Sequence, residues 1–369
     1  MKRAAAAAIS LMTGLAMLTG CSRAEVEETI QPLVADAIEE SDSEAEAVKE
    51  EDESPLIPEI DTDIKIHAGS RIAVVSKCVK GEYWKMVKKG MEDAVKEINK
   101  AYGYKKDDQI TMTFEGPDNE EDVETQINTI DAVIAENPDV LCISASDMDS
   151  CEAQLEAAKE NGIPVIAFDS NVAEKKLVKA YRGTDNVQVG KMAAYQLGSA
   201  LGKMGNYAVF SAQQKTKSVQ DRVEGFMNNI GKYGDIEVVE TIYSDQVDDM
   251  EASMKEVLEK YPTLDGVFCT NADITEMYLN LEKSDEHDAP ALVGVDATTK
   301  QQEAIRNGEE IGCVSQQPYA MGYQTIWAAV ETTAPKKSVV IEKNVLSNPA
   351  WIDADCLDDP DYSGYLYTE

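Results

Sequence analysis

Histidine is nearly missing from this chain. His67 and His287 are the only two in 369 residues, and both lie in polar, loop-like sequence. Neither falls at a strand end, which argues against a Ser-His-Asp set and against a His-based metal site. No C-x-x-C pair occurs, so a zinc site is not expected, and H-E-x-x-H, P-loop and G-x-G-x-x-G patterns are all absent. No EF-hand spacing is found; the acidic "DDPDYSG" near the end reads as a solvated turn. Positive charge is scarce too: 34 Lys and Arg stand against 69 Asp and Glu, a formal net charge of −35. Such a polyanion is not expected to bind nucleic acid, and electrostatic adhesion to anionic lipid is unfavourable. Past the N-terminal leader no run of about 20 apolar residues appears, so no later segment is expected to span a membrane.

Cysteine is moderately used, seven in all, without the dense short spacing of a disulfide scaffold. Cys142, Cys269 and Cys313 sit inside apolar strand-like runs, where a free buried thiol is the expected state. The states of all six cysteines after Cys21, Cys78, Cys142, Cys151, Cys269, Cys313 and Cys356, stay open, since pairing in an exported protein is an alternative.

The N-terminus reads "MKRAAAAAISLMTGLAMLTGC". Lys2 and Arg3 form a charged region, Ala4 to Met17 an apolar one, and Leu18-Thr19-Gly20-Cys21 follows. Residues 1–20 have the pattern of a removable signal peptide. The ending resembles the lipobox of bacterial lipoproteins, which implies a lipid on Cys21 and a chain anchored to the membrane without spanning it. An ordinary signal peptide cut elsewhere is the alternative. From Ser22 to Asp63 there are sixteen acidic and two basic residues. This composition cannot bury a core, so 21–63 is expected to be a disordered acidic tether, or alternatively an interaction tail.

About 300 residues follow, enough for two domains. Ten apolar strand-like runs, from Arg71–Ser76 to Glu310–Ser315, alternate with amphipathic helical stretches, from Trp84–Ala101 to Pro318–Thr332. Strands separated by ten or more helical residues imply βαβ units and parallel sheets. Two doubly wound α/β domains fit best.

Open α/β sheets bind ligands outside the carboxyl ends of their strands. In this chain strand after strand ends in a polar residue: Lys77 after IAVVS, Asp169-Ser170-Asn171 after PVIAF, Asn271 and Asp273 after GVFCT, Asp296 after LVGV, and Gln316-Gln317 after GCVS. Single cases are usually caps or turns; so many together point to a polar cleft. Two aromatics, Tyr83 and Trp84, stand side by side where the first strand gives way to a helix. Neighbours at a helix start cannot both face one core, so at least one ring is expected to point towards whatever lies above the strand end. Rings that cover apolar CH faces, beside charged groups that bond hydroxyls, describe a site for a small polyhydroxylated ligand.

From about Ser70 onward the chain resembles the sugar-binding proteins of bacterial ABC transporters, of the ribose/galactose/xylose type. The motifs carrying this are IAVVS…GEYW, "NPDVLCIS", "AKENGIPVIAFDSN", "RGTDNVQVGKMAA", "QDRVEGF", "DGVFCTNAD", "LVGVDAT" and "GCVSQQP", in that order. The resemblance implies a type I periplasmic binding protein: two Rossmann-like, doubly wound domains joined by three hinge strands, closing on a ligand like a clam shell. It implies lobes of 64–183 plus 317–343 and 184–316 plus 344–369, a monomer that docks on an ABC permease, no cofactor and no enzymatic activity. By position, Tyr83 and Trp84 match the paired aromatics that stack on the sugar, and Asp169 the carboxylate that accepts from two hydroxyls. Asn271, Asp296 and Gln316 match the far-domain and hinge ligands. Gln220 sits where ribose binders place an arginine, and Ser170 replaces another, so ribose itself is doubtful. Arg222 is read as a packing or ion-paired residue, with ligand contact as the alternative; Trp327 and Trp351 are read as packing. Lys77, with "EGP" at 115–117 and "DSN", is similar to the branch that binds a furanosyl quorum signal or rhamnose. The tail "WIDADCLDDPDYSGYLY" resembles the terminal segment of Gram-positive members. Two further readings remain: glycoside chemistry on Asp169 and Asp296, and a sensor reporting a sugar to a membrane kinase or chemoreceptor. Sugar-responsive repressors share a related fold but carry an N-terminal helix-turn-helix and no lipobox.

Overall fold

The computed structural model describes residues 57–281, 289–335 and 338–368. The signal peptide, Cys21, most of the tether and His287 lie outside the described residues.

The first sheet is built from β1 (Arg71–Val75), β2 (Thr111–Glu115), β3 (Val140–Ile143), β4 (Val165–Phe168), β5 (Ala180–Thr184) and β11 (Asn344–Ser347), in the order β11-β5-β4-β3-β1-β2. The second contains β6 (Met204–Ser211), β7 (Asp235–Tyr243), β8 (Gly266–Cys269), β9 (Ala291–Val295), β10 (Gly312–Ser315) and β12 (Ala350–Ile352), in the order β12-β10-β9-β8-β6-β7. Every pairing is parallel except β10 with β12. Helices cover both faces, which is why the central strands VLCI, VIAF and GVFC are buried along their whole length and carry no polar alternation.

Each lobe contains one very close helix crossing. In the first, α1 (Glu82–Tyr102) turns Val87, Met91, Ala94 and Ile98 inward at helical spacing and packs on α9 (Pro318–Glu331). A Cβ at Gly90 would stand 2.0 Å from the Tyr319 carbonyl oxygen, and one at Gly322 would stand 2.1 Å from that of Val87. The second lobe repeats the device where α4 (Asn186–Ala200) meets α5 (Lys217–Ile230): a Cβ at Gly190 would lie 1.9 Å from Arg222 O, and one at Gly225 2.1 Å from Val187 O. Only glycine lets two backbones approach so closely.

The chain passes between lobes three times: after β5, after β10 and between β11 and β12. The third passage corrects the expected boundary at residue 343. β11 pairs in parallel with β5, Val345 opposite Arg182, so 344–347 complete the first sheet. The expected tether also ends early. Ile60 and Ile64 pack on the first lobe's core, and the Tyr102 hydroxyl donates to Asp61 O and Ile64 O. The six cysteines among the described residues are free; Cys78, Cys142, Cys151, Cys269 and Cys313 are buried and Cys356 is half-buried. No helix among the described residues is long and apolar enough to cross a membrane.

Candidate ligand-binding cleft

The remaining helices that matter here are α2 (Val123–Ala135), α7 (Ala272–Leu279) and α8 (Thr299–Asn307). The carboxyl ends of both sheets face a cavity of about 250 Å3, near the lower end for small-molecule sites. The first lobe contributes Lys77 after β1, Tyr83 and Trp84 from the first turn of α1, Glu120 from the β2–α2 loop and Asp169 after β4. The second contributes Arg222 from α5, Asn271 after β8, Asp273 and Glu276 from α7, Asp296 after β9 and Gln316 after β10.

Asp169 is the hub of the first lobe. It is buried, with backbone φ of 54°, a left-handed conformation that non-glycine residues seldom take. Its Oδ1 accepts from the Tyr83 hydroxyl at 2.7 Å and its Oδ2 from the Ser144 hydroxyl at 2.7 Å; the Lys77 ammonium stands 3.1 Å from Oδ2. Burial acts to raise the Asp169 carboxyl, but Lys77, then the hydroxyls of Ser144 and Tyr83, outweigh it and hold the group below the usual carboxylate range. Burial likewise acts to lower the Lys77 ammonium; Asp169 and Glu120 reverse this and leave it raised. Both partners therefore stay charged. Lys77 also lies 3.5 Å from Glu120 Oε2 and 5.7 Å from the centre of the Trp84 ring, whose Nε1 donates to Glu120 Oε1 at 2.8 Å.

Asp296 is its counterpart in the second lobe. It too is buried, with φ of 79°. Gln316 Nε2 and the Tyr367 hydroxyl donate to its Oδ1 at 2.7 and 2.9 Å, and the Ala272 amide at the start of α7 donates to Oδ2 at 3.0 Å. Asn271 caps α7 by accepting from the Ile274 amide. Arg222 is buried and donates from Nε to Asn186 Oδ1 and from Nη1 to Thr270 O. Asp273 lines the cavity while remaining exposed. The enclosing walls, then Glu120, Glu276 and Asp296, push its carboxyl up to about 7. Solvent contact at this exposed group weakens both contributions.

The lobes touch across the cleft. Glu82 Oε2 accepts the Thr299 amide of α8 at 2.7 Å, Gln213 Nε2 donates to Glu120 O at 3.0 Å, and the Ser170 and Ser218 hydroxyls bond at 2.7 Å.

Seven of the eight ligand residues read from the sequence line this cavity: Lys77, Tyr83, Trp84, Asp169, Asn271, Asp296 and Gln316. Gln220 does not. It is half-buried on α5, and Arg222, two positions and about 200° further round the helix, takes the inward side. Tyr83 and Trp84 reach the strand-end cavity as expected, and depart from expectation only in sharing one core. Both rings are buried in one core cluster, edge to face at 5.1 Å, and both reach the cavity. The Tyr367 ring lies 5.9 Å from that of Tyr83. Sequence reasoning passed over Glu120, Glu276 and Tyr367. Glu120 sits in the acidic run Asp118-Asn119-Glu120-Glu121-Asp122, which reads as an ordinary turn. Among the described residues no group of three or more His, Cys, Asp or Glu is arranged to hold a metal ion.

Residues 72–337 match the sequence profile described as "Periplasmic binding protein domain". The chain belongs to the periplasmic binding protein family. A solute-binding protein of an ABC transporter from Agrobacterium vitis, solved with D-fucose, superposes with a TM-score of 0.73 at 25% identity, covering 81% of this chain and all of that one. A second Agrobacterium vitis solute-binding protein, with α-D-tagatopyranose, gives 0.74 at 24% identity with the same coverage. These likenesses confirm a type I periplasmic binding protein fold. Among curated relatives, the xylitol-binding protein of Mycolicibacterium smegmatis is 25% identical over 211 residues, 57% of this chain and 60% of that protein. The D-allose-binding periplasmic protein of Escherichia coli is 20% identical over 289 residues, 75% of this chain and 88% of that one. The matched relatives are named as binding proteins, not enzymes. In this periplasmic binding protein the two strand-end aspartates and the tyrosines that bond them stand where the two sheets face one another.

Proposed function

We propose that this protein is an extracytoplasmic receptor that captures one small sugar, of pentose or hexose size, between its lobes and delivers it to an ABC permease. The observation that carries this reading is the cavity itself. Charged and amide groups from both lobes, at the carboxyl ends of both sheets, surround a space of about 250 Å3 beside the Tyr83 and Trp84 rings. Carboxylate, guanidinium and amide groups bond vicinal hydroxyls, and rings cover CH faces. The named ligands of the relatives, which include xylitol, D-allose and D-fucose, support the same class.

A lipid on Cys21 would hold the receptor at the membrane, and the acidic stretch after it would act as the spacer. The sequence pattern alone supports this part; Cys21→Ala should release the protein from the membrane fraction. A furanosyl signal or a rhamnose-like deoxysugar is the second reading. The position of Lys77 favours it, since this buried ammonium faces the cavity beside Asp169.

Thermal unfolding of the chain from Ile57 onward, against pentoses, hexoses, deoxysugars and the furanosyl signal, tests the proposal. A ligand present at a hundred times its Kd adds about 2.7 kcal/mol of stability. A shift with one or a few of them names the class; no shift with any, on protein stripped of carried-over ligand, rejects the sugar reading.

A further inference from the structure

The C-terminal tail reaches the cavity-lining Asp296 through a single side chain. After β12 the chain forms a short 3-10 turn, Pro360–Tyr365, held to the second lobe by the Ser315 hydroxyl bonding Tyr365 O. The Tyr367 amide donates to Ala297 O, and Gln302 Nε2 donates to Tyr367 O. The tail backbone therefore belongs to the second lobe. Its ring does not stay there. Tyr367 is 1% exposed, sits within the apolar cluster of the first lobe, and lies 5.9 Å from the Tyr83 ring. Its hydroxyl turns back to Asp296 Oδ1 at 2.9 Å.

We propose that Tyr367 is a positioning residue of the ligand site: its hydroxyl holds the Asp296 carboxylate in place, with the ring braced on Tyr83 of the opposite lobe. The inference rests on the sugar-receptor reading for its consequence, but the geometry behind it does not need a ligand. Asp296 occupies a backbone conformation that aspartate takes only when its surroundings hold it there. Three hydrogen bonds to its carboxylate do so. Gln316 comes from the hinge, the Ala272 amide from α7, and Tyr367 is the one tied to the other lobe. A buried hydrogen bond to a charged group contributes more than a neutral one, and losing it frees the carboxylate to turn from its place.

The test uses full-length protein and the variants Tyr367→Phe, Asp296→Asn and their combination. Phenylalanine keeps the ring on Tyr83 and removes only the hydroxyl; asparagine keeps the shape and tolerates the same backbone. With the sugar found in the panel, Tyr367→Phe weakens binding about tenfold, as loss of one charge-assisted hydrogen bond implies. In the Asp296→Asn background the same change costs little more, because the two act as a unit. Wild-type affinity in Tyr367→Phe, or losses that simply add, overturn the assignment. On sugar-free protein, amide exchange at Ala272 rises in Tyr367→Phe while the rest of the second lobe keeps its protection; unchanged exchange at Ala272 counts against the proposal. This last arm decides the role of Tyr367 even if wild-type protein binds no sugar, an outcome that would remove the receptor reading alone.

Discussion

Tyr83 and Tyr367 are 284 positions apart in the chain, yet their rings lie 5.9 Å from one another and each hydroxyl serves a different aspartate. Tyr83 donates to Asp169 of the first lobe and Tyr367 to Asp296 of the second. Both aspartates follow a central parallel strand and both have positive φ. Such a conformation costs on the order of 1–3 kcal/mol at each site. Two lobes that reach one solution independently, a strained carboxylate held by a tyrosine, concentrate their strain where the sheets face each other.

The Lys77–Asp169 pair sets a stability test. Removing one member of a buried ion pair leaves an uncompensated charge, so Lys77→Met should lower unfolding stability by about 3 kcal/mol in urea titration. The pH dependence follows from the directions of the shifts. Asp169 has its pKa depressed on folding, so its contribution is present above the ordinary carboxylate value of 3.8 and is lost as pH falls through the lower folded value. Lys77 is raised, so its contribution is present below 10.5 and lost as pH rises through the folded value above that. A Lys77→Met variant as stable as wild type at pH 7 would show that the pair is not formed.

Arg222 and Gln220 offer a direct comparison on one helix. Arg222→Met removes a cavity-lining cation and two charge-assisted hydrogen bonds, and should weaken sugar binding at least about tenfold. Gln220→Ala, outside the cavity lining, should leave affinity unchanged. Calorimetric titration of both variants decides it; the reverse pattern would restore Gln220 as the contact.

The fold was legible because buried parallel strands appear as unbroken apolar runs, separated here by helix-length segments. The place of the candidate site was legible for a related reason. A residue just past such a run must sit at the sheet's carboxyl edge, and Lys77, Asp169, Asn271, Asp296 and Gln316 all do. What escaped depended on geometry that no local pattern encodes. Choosing Arg222 over Gln220 requires the rotational phase of α5. Tyr367 reaches Asp296 from 71 positions away, through a tail with no strand of its own beyond β12. β11 and β12, four and three residues long, are strands only because β5 and β10 offer them edges.

Asp273 sets a test of pH dependence in the cleft. Where the lobes meet, Glu120 of the first faces Asp273, Glu276 and Asp296 of the second, with Lys77 acting in opposition. Separating the lobes would remove Glu120's share of the rise, so the Asp273 carboxyl is raised further with the lobes together than apart. The closed form thus binds the extra proton. Its advantage is lost as pH rises through about 7. Sugar affinity, which needs closure, should weaken between pH 6 and about 8, and Asp273→Asn should flatten that slope. Titrations at several pH values that give equal slopes for wild type and variant would remove Asp273 from the account.

Glu310 supplies the last prediction, away from the cleft. Its side chain is buried beneath β9: Oε1 accepts from the Gly294 amide at 3.0 Å and from Gln301 Nε2 at 3.3 Å, while Oε2 has no hydrogen-bond partner among the described residues. Burial pushes this carboxyl up to about 8, from an ordinary 4.5. The folded state holds a proton that the unfolded chain gives up, so stability is greatest below 4.5 and is lost as pH rises towards about 8. Between 4.5 and 7 the loss is about 2.5 pH units at 1.36 kcal/mol each, or about 3 kcal/mol. Glu310→Gln keeps an acceptor for both bonds and carries no charge to desolvate. The variant should match wild type near pH 5 and exceed it increasingly towards pH 8. Unfolding midpoints across that range give the comparison; parallel curves would mean that Glu310 is ionised in the folded protein and that its free oxygen has found water.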